Sequence, residues 1–300
     1  MREKLVRKIF ILALTGLFVG IYIPYMSVGG NSNNTIYVDD DNISGPWDGT
    51  SEHPYRFIQQ AIDNATDGDT IFVYHGTYYE NIIVNTSLTL IGENRDTTII
   101  DGGEKDDVIT INADYVNISH FTVRNSGDHK AGIHITANHN AIFDNNIRGN
   151  YRGIFADISH NNIISYNFVT KNEEGILVML SRNNLITQNR VESNGYGIYT
   201  RWGFLFNGCL NTKIVRNSVI NNINGVFLNG GSNTTVNFNN FMNNNRSASF
   251  FMEDYPNWNN NYWDRPRFFP KIIIGINGFF IFRFPWVNFD WHPAKEPYEI

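Results

Sequence analysis

The sequence contains little cysteine and little charge, and both shortages exclude classes of protein. Cys209 is the only cysteine among the 300 residues, so no disulfide can form within the chain. Charged residues make up 17%, against roughly 25% in an average globular protein. The formal net charge of −6 argues against nucleic-acid binding, because an acidic chain repels phosphate. With 42% hydrophobic and 14% aromatic residues, the composition also excludes a disordered chain.

Asparagine, in contrast to the charged residues, is abundant. The chain contains 44 asparagines and 37 isoleucines. Asparagine is unfavourable inside helices and in ordinary strands. A chain this rich in asparagine therefore needs many turns, or a stack in which the side-chain amide is used repeatedly.

The N-terminus carries basic residues followed by an apolar run from Ile9 to Ile23. This order is typical of a secretory signal peptide, and Ser27 and Gly29 offer small residues at a cleavage site. The run continues to Met26, however, which also fits an uncleaved membrane anchor. Either interpretation of residues 1–29 predicts an exported protein, extracellular or at the cell surface.

An internal repeat organises the middle of the chain. Its glycines are spaced by 21, 22, 22 and 28 residues: Gly132, Gly153, Gly175, Gly197 and Gly225. Two asparagine columns follow the same spacing: Asn145, Asn167, Asn189, Asn217 and Asn239, and then Asn150, Asn172, Asn194, Asn222 and Asn244. An apolar column runs beside them: Ile133, Ile154, Ile176, Ile198 and Val226.

Within each repeat the apolar period is two, which indicates short strands rather than helices. Three short strands per repeat predict an all-β fold, a parallel β-helix whose coils stack at about 4.8 Å. Buried asparagines in register then form ladders between coils, and each glycine is expected to turn a corner with positive φ. About eight coils fit between Thr70 and Tyr255.

Both ends of the stack need caps, because open strand edges promote aggregation. Residues 55–65 place Phe57, Ile58, Ala61, Ile62 and Ala65 on one helical face, which predicts a capping helix. Residues 256–300 are rich in Trp, Phe and Pro and predict an aromatic C-terminal cap. There, Asn277-Gly278 between apolar runs predicts a hairpin turn. The alternative for this segment is a membrane or partner contact.

Several segments before the repeat resemble the opening of NosD-like right-handed parallel β-helix proteins: residues 36–42, 57–65, 68–71, 76–81 and 88–92. The repeating Asn-x-x-Ile-x-x-Asn-x-Val units resemble the body of the same family, so the resemblance covers residues 36–255. Residues 288–300 resemble the tail of archaeal surface β-helix proteins. The resemblance implies a right-handed solenoid, export, proximity to carbohydrate-binding and sugar-hydrolase (CASH) repeats and, in some members, a link to copper-site maturation.

The residues themselves do not predict a copper centre, because the His, Met and Cys ligands that copper prefers are dispersed. No His-x-His or Met-x-x-Met segment occurs. We therefore expect no metal site and no cofactor. A calcium site at the acidic segment 39–42 remains an alternative, although the segment lacks the spacing of an EF-hand loop.

Catalysis by a β-helix enzyme would need clustered outward carboxylates, often with a basic residue. Outward acids are sparse in the repeats. Asp157 and Arg201 fall in one column, two coils or about 9–10 Å apart, and are weak catalytic candidates without a second acid in the column. This pair keeps a polysaccharide lyase or glycoside hydrolase as an alternative function.

An outward column of mostly aromatic residues predicts a ligand-binding surface. The column contains His134, Phe155, Leu177, Tyr199 and Phe227, and we expect it to face solvent. Exposed apolar rows need a reason, and stacking of sugar rings on aromatic faces is one. The six extra residues in the 28-residue repeat carry Trp202 and Phe204, which could form one wall of a groove. Alternatively, this loop and the C-terminal segment bury the column.

The sequence as a whole predicts an exported β-helix scaffold that binds a glycan or another cell-envelope component without catalysis. The predicted ligand-binding residues are His134, Phe155, Tyr199, Trp202, Phe204 and Phe227. A polysaccharide-cleaving enzyme is the first alternative. An accessory protein in copper-site maturation is the second.

Overall fold

A computed structural model of the chain describes residues 34–202, 208–279 and 282–300. The predictions for residues 1–29 and for Phe204 lie outside these described residues. Within them, the chain forms a right-handed parallel β-helix of about nine coils, close to the eight expected, with one short helix. No helix in the described ranges is long and apolar enough to cross a membrane.

Each coil contributes one strand to each of three sheets, which we call sheets A, B and C. Sheet A contains Thr35–Val38, Thr70–Val73, Thr89–Gly92, Asn117–Ser119, Ala141–Phe143, Ile163–Ser165, Leu185–Thr187, Lys213–Val215, Thr235–Asn237 and Asn257–Asn259. Sheet B contains Gly76–Tyr78, Thr98–Asp101, Thr122–Arg124, Asn146–Arg148, Phe168–Thr170, Arg190–Glu192, Ser218–Ile220, Asn240–Met242 and Tyr262–Trp263.

Sheet C has the longest strands and carries the extra residues of the repeat. It contains Ile82–Val84, Ile109–Ile111, Ala131–Ile135, Arg152–Asp157, Glu174–Met179, Tyr196–Arg201, Asn224–Ser232, Arg246–Asp254, Lys271–Phe279 and Phe282–Asp290. A two-residue strand, Cys209–Leu210, also pairs with Asn224–Ser232.

The inner columns stack in the register that the repeat predicts. Ile133 pairs with Ile154, Ile154 with Ile176, and Ile176 with Ile198, and these side chains are fully buried in one continuous core. Because the strand period is two, a one-residue slip would turn the whole core face outward. The isoleucine columns therefore fix the register of every coil.

The asparagine columns form the expected ladders. In the first column, the Asn167 amide nitrogen donates to Oδ1 of Asn189 at 3.1 Å and to the Ile142 carbonyl at 2.8 Å, and the Asn167 backbone N–H donates to the same Oδ1 at 3.0 Å. The second column repeats this pattern, for example from Asn172 to Asn194. Each buried amide thus satisfies backbone groups at the corner of its own coil and of its neighbour.

A third ladder was not predicted. The backbone N–H of Asn140 donates to Oδ1 of Asn162, and that of Asn162 donates to Oδ1 of Asn184, both at 2.8 Å. Thr212 and Thr234 occupy this corner in the next two coils. The signal is present in the sequence as an asparagine two residues before each isoleucine of sheet A. It escapes notice because the column changes to threonine after three coils.

The repeated glycines allow close approach between coils, and the prediction of positive φ at these positions was wrong. A Cβ at Gly153 would lie 2.4 Å from the Gly175 carbonyl oxygen, and one at Gly175 would lie 2.5 Å from that of Gly197. Positive φ falls instead on the residues before the first asparagine column, such as Tyr166 (57°) and Gln188 (55°).

The predicted N-terminal capping helix is confirmed but is shorter than expected, at Ile58–Asn64. Ile58, Ala61 and Ile62 are buried against the first coils, whereas Phe57 precedes the helix and is exposed. Both Glu80 carboxylate oxygens accept backbone N–H groups of the first turn, from Ile58 at 2.8 Å and Gln59 at 2.9 Å. The first coil thereby satisfies N–H groups that a helix leaves unpaired.

At the C-terminus, a hairpin of Lys271–Phe279 and Phe282–Asp290 extends sheet C. The hairpin is confirmed, but the predicted turn at Asn277-Gly278 was wrong, because Gly278 pairs with Arg283 within the ladder. Asp290 closes the first asparagine ladder. One of its carboxylate oxygens accepts the Asn261 backbone N–H at 2.9 Å, the Asn261 amide at 3.0 Å and the Trp263 indole N–H at 3.0 Å.

The ladders predict a large loss of stability when one member is removed. Asn189→Ala leaves the Asn167 backbone N–H without its acceptor and the Ile164 carbonyl without its donor. Each unpaired buried group costs about 1–3 kcal/mol, so we expect the free energy of unfolding to fall by about 3 kcal/mol or more. Denaturant titration measures this change. Asn245→Ala, at an exposed asparagine, is the control, and equal losses in both variants would contradict the ladder's role.

A buried carboxyl near the end of the stack predicts a pH-dependent stability. Glu253 is 1% exposed, and among the described residues its carboxyl group makes no ion pair. Burial raises the pKa of Glu253 to about 7, whereas the unfolded carboxyl titrates near about 4.3. Between these values the folded state holds the extra proton, so its stability falls as pH rises, by up to about 1.4 kcal/mol per pH unit.

Glu253→Gln should remove this contribution. The free energy of unfolding of the variant relative to the original protein should therefore rise from roughly pH 4 to pH 7 and level off above it. Denaturant titrations across that range measure the difference. A difference that stays constant with pH would show that Glu253 is not held in its neutral form.

Candidate ligand-binding site

The outer face of sheet C carries the only predicted binding column, and its register is as expected. His134 pairs with Phe155, Phe155 with Leu177, Leu177 with Tyr199, and Tyr199 with Phe227. The neighbouring column of Asp157, Met179, Arg201 and Asn229 is also in register. The long strands of sheet C thus bring the predicted residues onto one surface.

The expectation that the aromatic column faces solvent was wrong. Phe155, Leu177 and Tyr199 are at most 9% exposed and form a second, small apolar cluster outside the main core. Met179, Tyr196 and Phe227 pack against this cluster and are partly buried. Outward apolar side chains on adjacent strands bury one another, because neighbouring coils stand only about 4.8 Å apart.

The lower half of the column is a stack of aromatic rings. The Tyr199 ring lies 5.3 Å from that of Phe227 and 5.1 Å from that of Tyr196, with both pairs nearly parallel. The Tyr199 hydroxyl accepts a hydrogen bond from the Asn229 amide at 3.1 Å, and burial raises the pKa of Tyr199. Tyr196 and Phe227 are the partly accessible members of this stack.

The upper half of the column ends in an acid–base cluster that the sequence did not predict. His134 stacks on Phe155 at 4.8 Å, and its Nδ1 lies 2.8 Å from Oδ2 of Asp107. The other Asp107 oxygen accepts the Ala131 backbone N–H at 2.6 Å. Burial raises the pKa of Asp107, but these two hydrogen bonds outweigh it and hold the pKa below its usual value. Asp107 is therefore ionised and orients the imidazole ring.

Asp157 lies on the opposite side of the same imidazole. Its Oδ2 is 4.0 Å from Nε2 of His134, and neither His134 Nε2 nor Asp157 Oδ1, both buried, has a hydrogen-bond partner among the described residues. Burial raises the pKa of Asp157, opposed in part by His134 and Arg152. Both unpartnered atoms are closed to solvent, so a ligand hydroxyl could bond to them only after neighbouring side chains move aside.

Charged pairs border this gap. The Arg152 guanidinium lies 4.9 Å over the Phe155 ring and 3.0 Å from the Glu174 carboxylate. Lys130 pairs with Asp106 at 2.6 Å, and hydrogen bonding to that lysine lowers the pKa of Asp106. The cluster thus contains four carboxyl groups but only two strong bases, so its overall charge is negative. Its members are Asp106, Asp107, Asp157, Glu174, Lys130, Arg152 and His134.

The other predicted site residues do not join the cluster. Arg201 is exposed, and among the described residues it makes no ion pair with Asp157. Trp202 is half-buried and packs beside Gly230, where an added Cβ would lie 2.7 Å from the Trp202 side chain. The sequence suggested Asp157 and Arg201 as a weak acid–base pair. In the structure, Asp157 instead lies next to His134.

The sequence missed Asp107, Arg152 and Glu174 for a common reason. Each stands at a corner just before or at the start of a strand of sheet C, where the simple alternation of inward and outward residues does not apply. A signal was available for Asp107, because it lies 24 residues before Ala131, one coil earlier. Aligning the irregular coil of residues 102–111 on the Ile133 column would have placed it beside His134.

The described residues do not fit a copper centre. No three His, Cys, Asp or Glu side chains of the described ranges are grouped so that they could hold a metal ion. Cys209 is buried, its thiol donates to the Val178 carbonyl at 3.2 Å, and burial raises its pKa to about 11. A protonated thiol is a poor metal ligand.

Comparison with known protein families matches residues 62–276 to the family described as periplasmic copper-binding protein (NosD). This range spans most of the repeats and part of the C-terminal hairpin. Comparison with curated individual proteins found no significant match.

Solved structures share the fold at low sequence identity. XylC in complex with xylose is 12% identical with a TM-score of 0.65, over 76% of this chain and 65% of that one, so the present chain spans less than two thirds of its length. Pectate lyase Pel9A is 16% identical with a TM-score of 0.53, over 78% and 72%. The AlgE6 A-module of the Azotobacter vinelandii mannuronan C-5 epimerase is 16% identical with a TM-score of 0.55, over 76% and 78%. At these identities the likeness concerns the fold alone.

Proposed function

The chain belongs to the NosD family of periplasmic copper-binding proteins, and from that premise we propose that it is an exported β-helix protein that binds glycans on the outer face of sheet C. One observation carries the proposal. Two buried polar atoms that have no partner among the described residues, Nε2 of His134 and Oδ1 of Asp157, lie beside a column of aromatic rings. Sugars combine hydroxyl groups with apolar ring faces, and this surface offers a partner for both.

The charge of the site favours neutral sugars. Four carboxyl groups against two strong bases repel polyanionic chains such as polyuronates. Tyr196 and Phe227, the partly accessible rings, provide the stacking surface, while Phe155, Leu177 and Tyr199 support it from below. The ligand would therefore lie across the strands, with hydroxyls at His134 and an apolar face on the aromatic stack.

We expect substitutions in the cluster to weaken glycan binding. Asp157→Ala and His134→Ala each remove one of the two unsatisfied partners. Loss of a hydrogen bond to a charged group costs about 1.5–3 kcal/mol, so we expect the dissociation constant for a neutral oligosaccharide to rise about tenfold or more. A glycan array identifies the oligosaccharide, and calorimetry on that compound measures the change.

His53→Ala is the matched control, because His53 also faces an aspartate, Asp48 at 3.2 Å, but lies in the N-terminal cap. It should bind as the original protein does. The proposal would be overturned if His134→Ala and Asp157→Ala bound the same glycan unchanged, or if the folded protein retained no neutral glycan on the array.

A second function is favoured by the same cluster. An imidazole held by one carboxylate and facing another is an arrangement that general acid–base catalysis uses. A polysaccharide-cleaving enzyme would use His134 to move a proton, with Asp107 as its positioning residue. Incubation with neutral and acidic polysaccharides, followed by assays for reducing ends and unsaturated products, separates the two. Products that disappear in His134→Ala would support the enzyme over the binding protein.

Copper binding is a property that the family's description states, and we do not extend it to this chain. The donor groups of the described residues do not fit a copper centre. The archaeal surface origin suggested by the C-terminal sequence stays a prediction, as does cleavage or retention of residues 1–29.

A further inference from the structure

The C-terminal hairpin exposes an unusual amount of apolar side chain. Ile272, Ile274 and Ile276 are between 40% and 67% exposed in the first strand. Phe284, Trp286 and Val287 of the second strand are between 44% and 49% exposed, and Phe268, Phe269 and Trp291 flank the hairpin with 62% or more. Scattered exposed apolar residues are normal, but a contiguous set marks an interaction surface.

The strand register places Ile272, Ile274, Ile276 and Val287 on one face, and Phe284 and Trp286 on the opposite face. Ile274 pairs with Val287 and Ile272 with Phe289, and directly opposite residues of an antiparallel pair share a face. Ile273, between them, points the other way and is buried in the main core. The hairpin thus covers the last coil with one face and presents an apolar face, including Ile272, Ile274, Ile276 and Val287, to the outside. We call this surface the hairpin face.

Basic residues outnumber acidic residues around the hairpin face, in an otherwise acidic chain. Residues 264–296 contain five basic and three acidic residues, whereas the rest of the chain contains 18 basic and 26 acidic residues. Of the three acids, Asp290 is fully buried in the asparagine ladder, and Asp264 and Glu296 are exposed. Arg265, Arg283 and Lys295 are exposed. Lys271 and Arg283 stand at opposite ends of the hairpin.

The apolar side chains and the surrounding basic residues together decide between two possible partners of the hairpin face. A second copy could pair with the outer strand Phe282–Asp290, but Pro285 interrupts that edge and the basic residues of two copies would repel each other. A bilayer with anionic headgroups satisfies both features. Apolar side chains enter the acyl boundary, tryptophans lie at the headgroup level, and lysine and arginine contact the anionic headgroups.

We propose that the hairpin face docks the protein on the surface of an anionic lipid bilayer. Trp291, which stacks on Phe289 of this face, lies at the interface, and Arg265 and Arg283 contact the headgroups. The attachment adds to whatever residues 1–29 contribute and does not depend on them.

The test uses the full chain and vesicles of phosphatidylcholine with or without phosphatidylglycerol. Bromine-labelled acyl chains quench tryptophan fluorescence at the bilayer interface, which reports on the hairpin rather than on the N-terminus, since residues 1–29 contain no tryptophan. We expect quenching with anionic vesicles that weakens with salt. Trp291→Phe should abolish most of it.

Ile274→Glu should weaken vesicle binding about tenfold or more, since a charge replaces an inserted apolar side chain. Arg265→Gln and Arg283→Gln should each weaken binding to anionic vesicles about fivefold. Ile83→Glu is the matched control, because Ile83 is a 45%-exposed isoleucine at the other end of sheet C. It should leave both quenching and binding unchanged.

Three outcomes would overturn the proposal. The first is absence of quenching in the original protein. The second is equal quenching of Ile274→Glu and the original protein. The third is a change of oligomeric state in Ile274→Glu, measured by light scattering, with vesicle binding unaltered, which would assign the hairpin face to a second copy. Circular dichroism checks that each variant keeps its β-structure.

Discussion

Hydrogen bonding of buried asparagine amides between successive coils is the constraint on which the rest of this structure depends. A β-helix brings a backbone corner into its interior three times per turn, and each corner holds N–H and carbonyl groups that cannot reach water. Asparagine carries a donor and an acceptor on a short side chain, so it can satisfy its own corner and bond to the next coil. The three ladders therefore account for 14 of the 44 asparagines in the chain.

The same constraint decides where chemistry can occur. Inward positions must repeat from coil to coil, because a change in one coil leaves a partner unsatisfied or a cavity in the core. Outward positions of sheet C are released from this requirement. Along one outward column the residues change from the acid–base cluster at His134 to an aromatic stack at Tyr199 and Phe227. A binding surface with a polar end and an apolar end thus arises on a scaffold that is otherwise uniform.

The difference between repeating inward positions and variable outward positions also explains which parts of the structure the sequence predicted. The strand columns, two of the three ladders and the capping helix were predicted, because repetition makes register visible. For the outer face of sheet C, the sequence predicted which residues are neighbours. It did not predict how deeply these residues bury one another, because the repeat pattern contains no information on burial. Phe155, Leu177 and Tyr199 were expected in solvent for this reason. Asp107 was missed because it lies in an irregular coil, where alignment on the repeat fails.

The carboxylate that ends the first ladder has a consequence for the size of the molecule. Every asparagine in that ladder both accepts from the coil before it and donates to the coil after it, so the pattern could in principle continue without limit, as it does in fibrils. Asp290 accepts three N–H groups, and its side chain, unlike that of asparagine, has no N–H to donate. Asp290 therefore ends the first ladder, because its side chain has no N–H for a further coil. This limits the length of the solenoid.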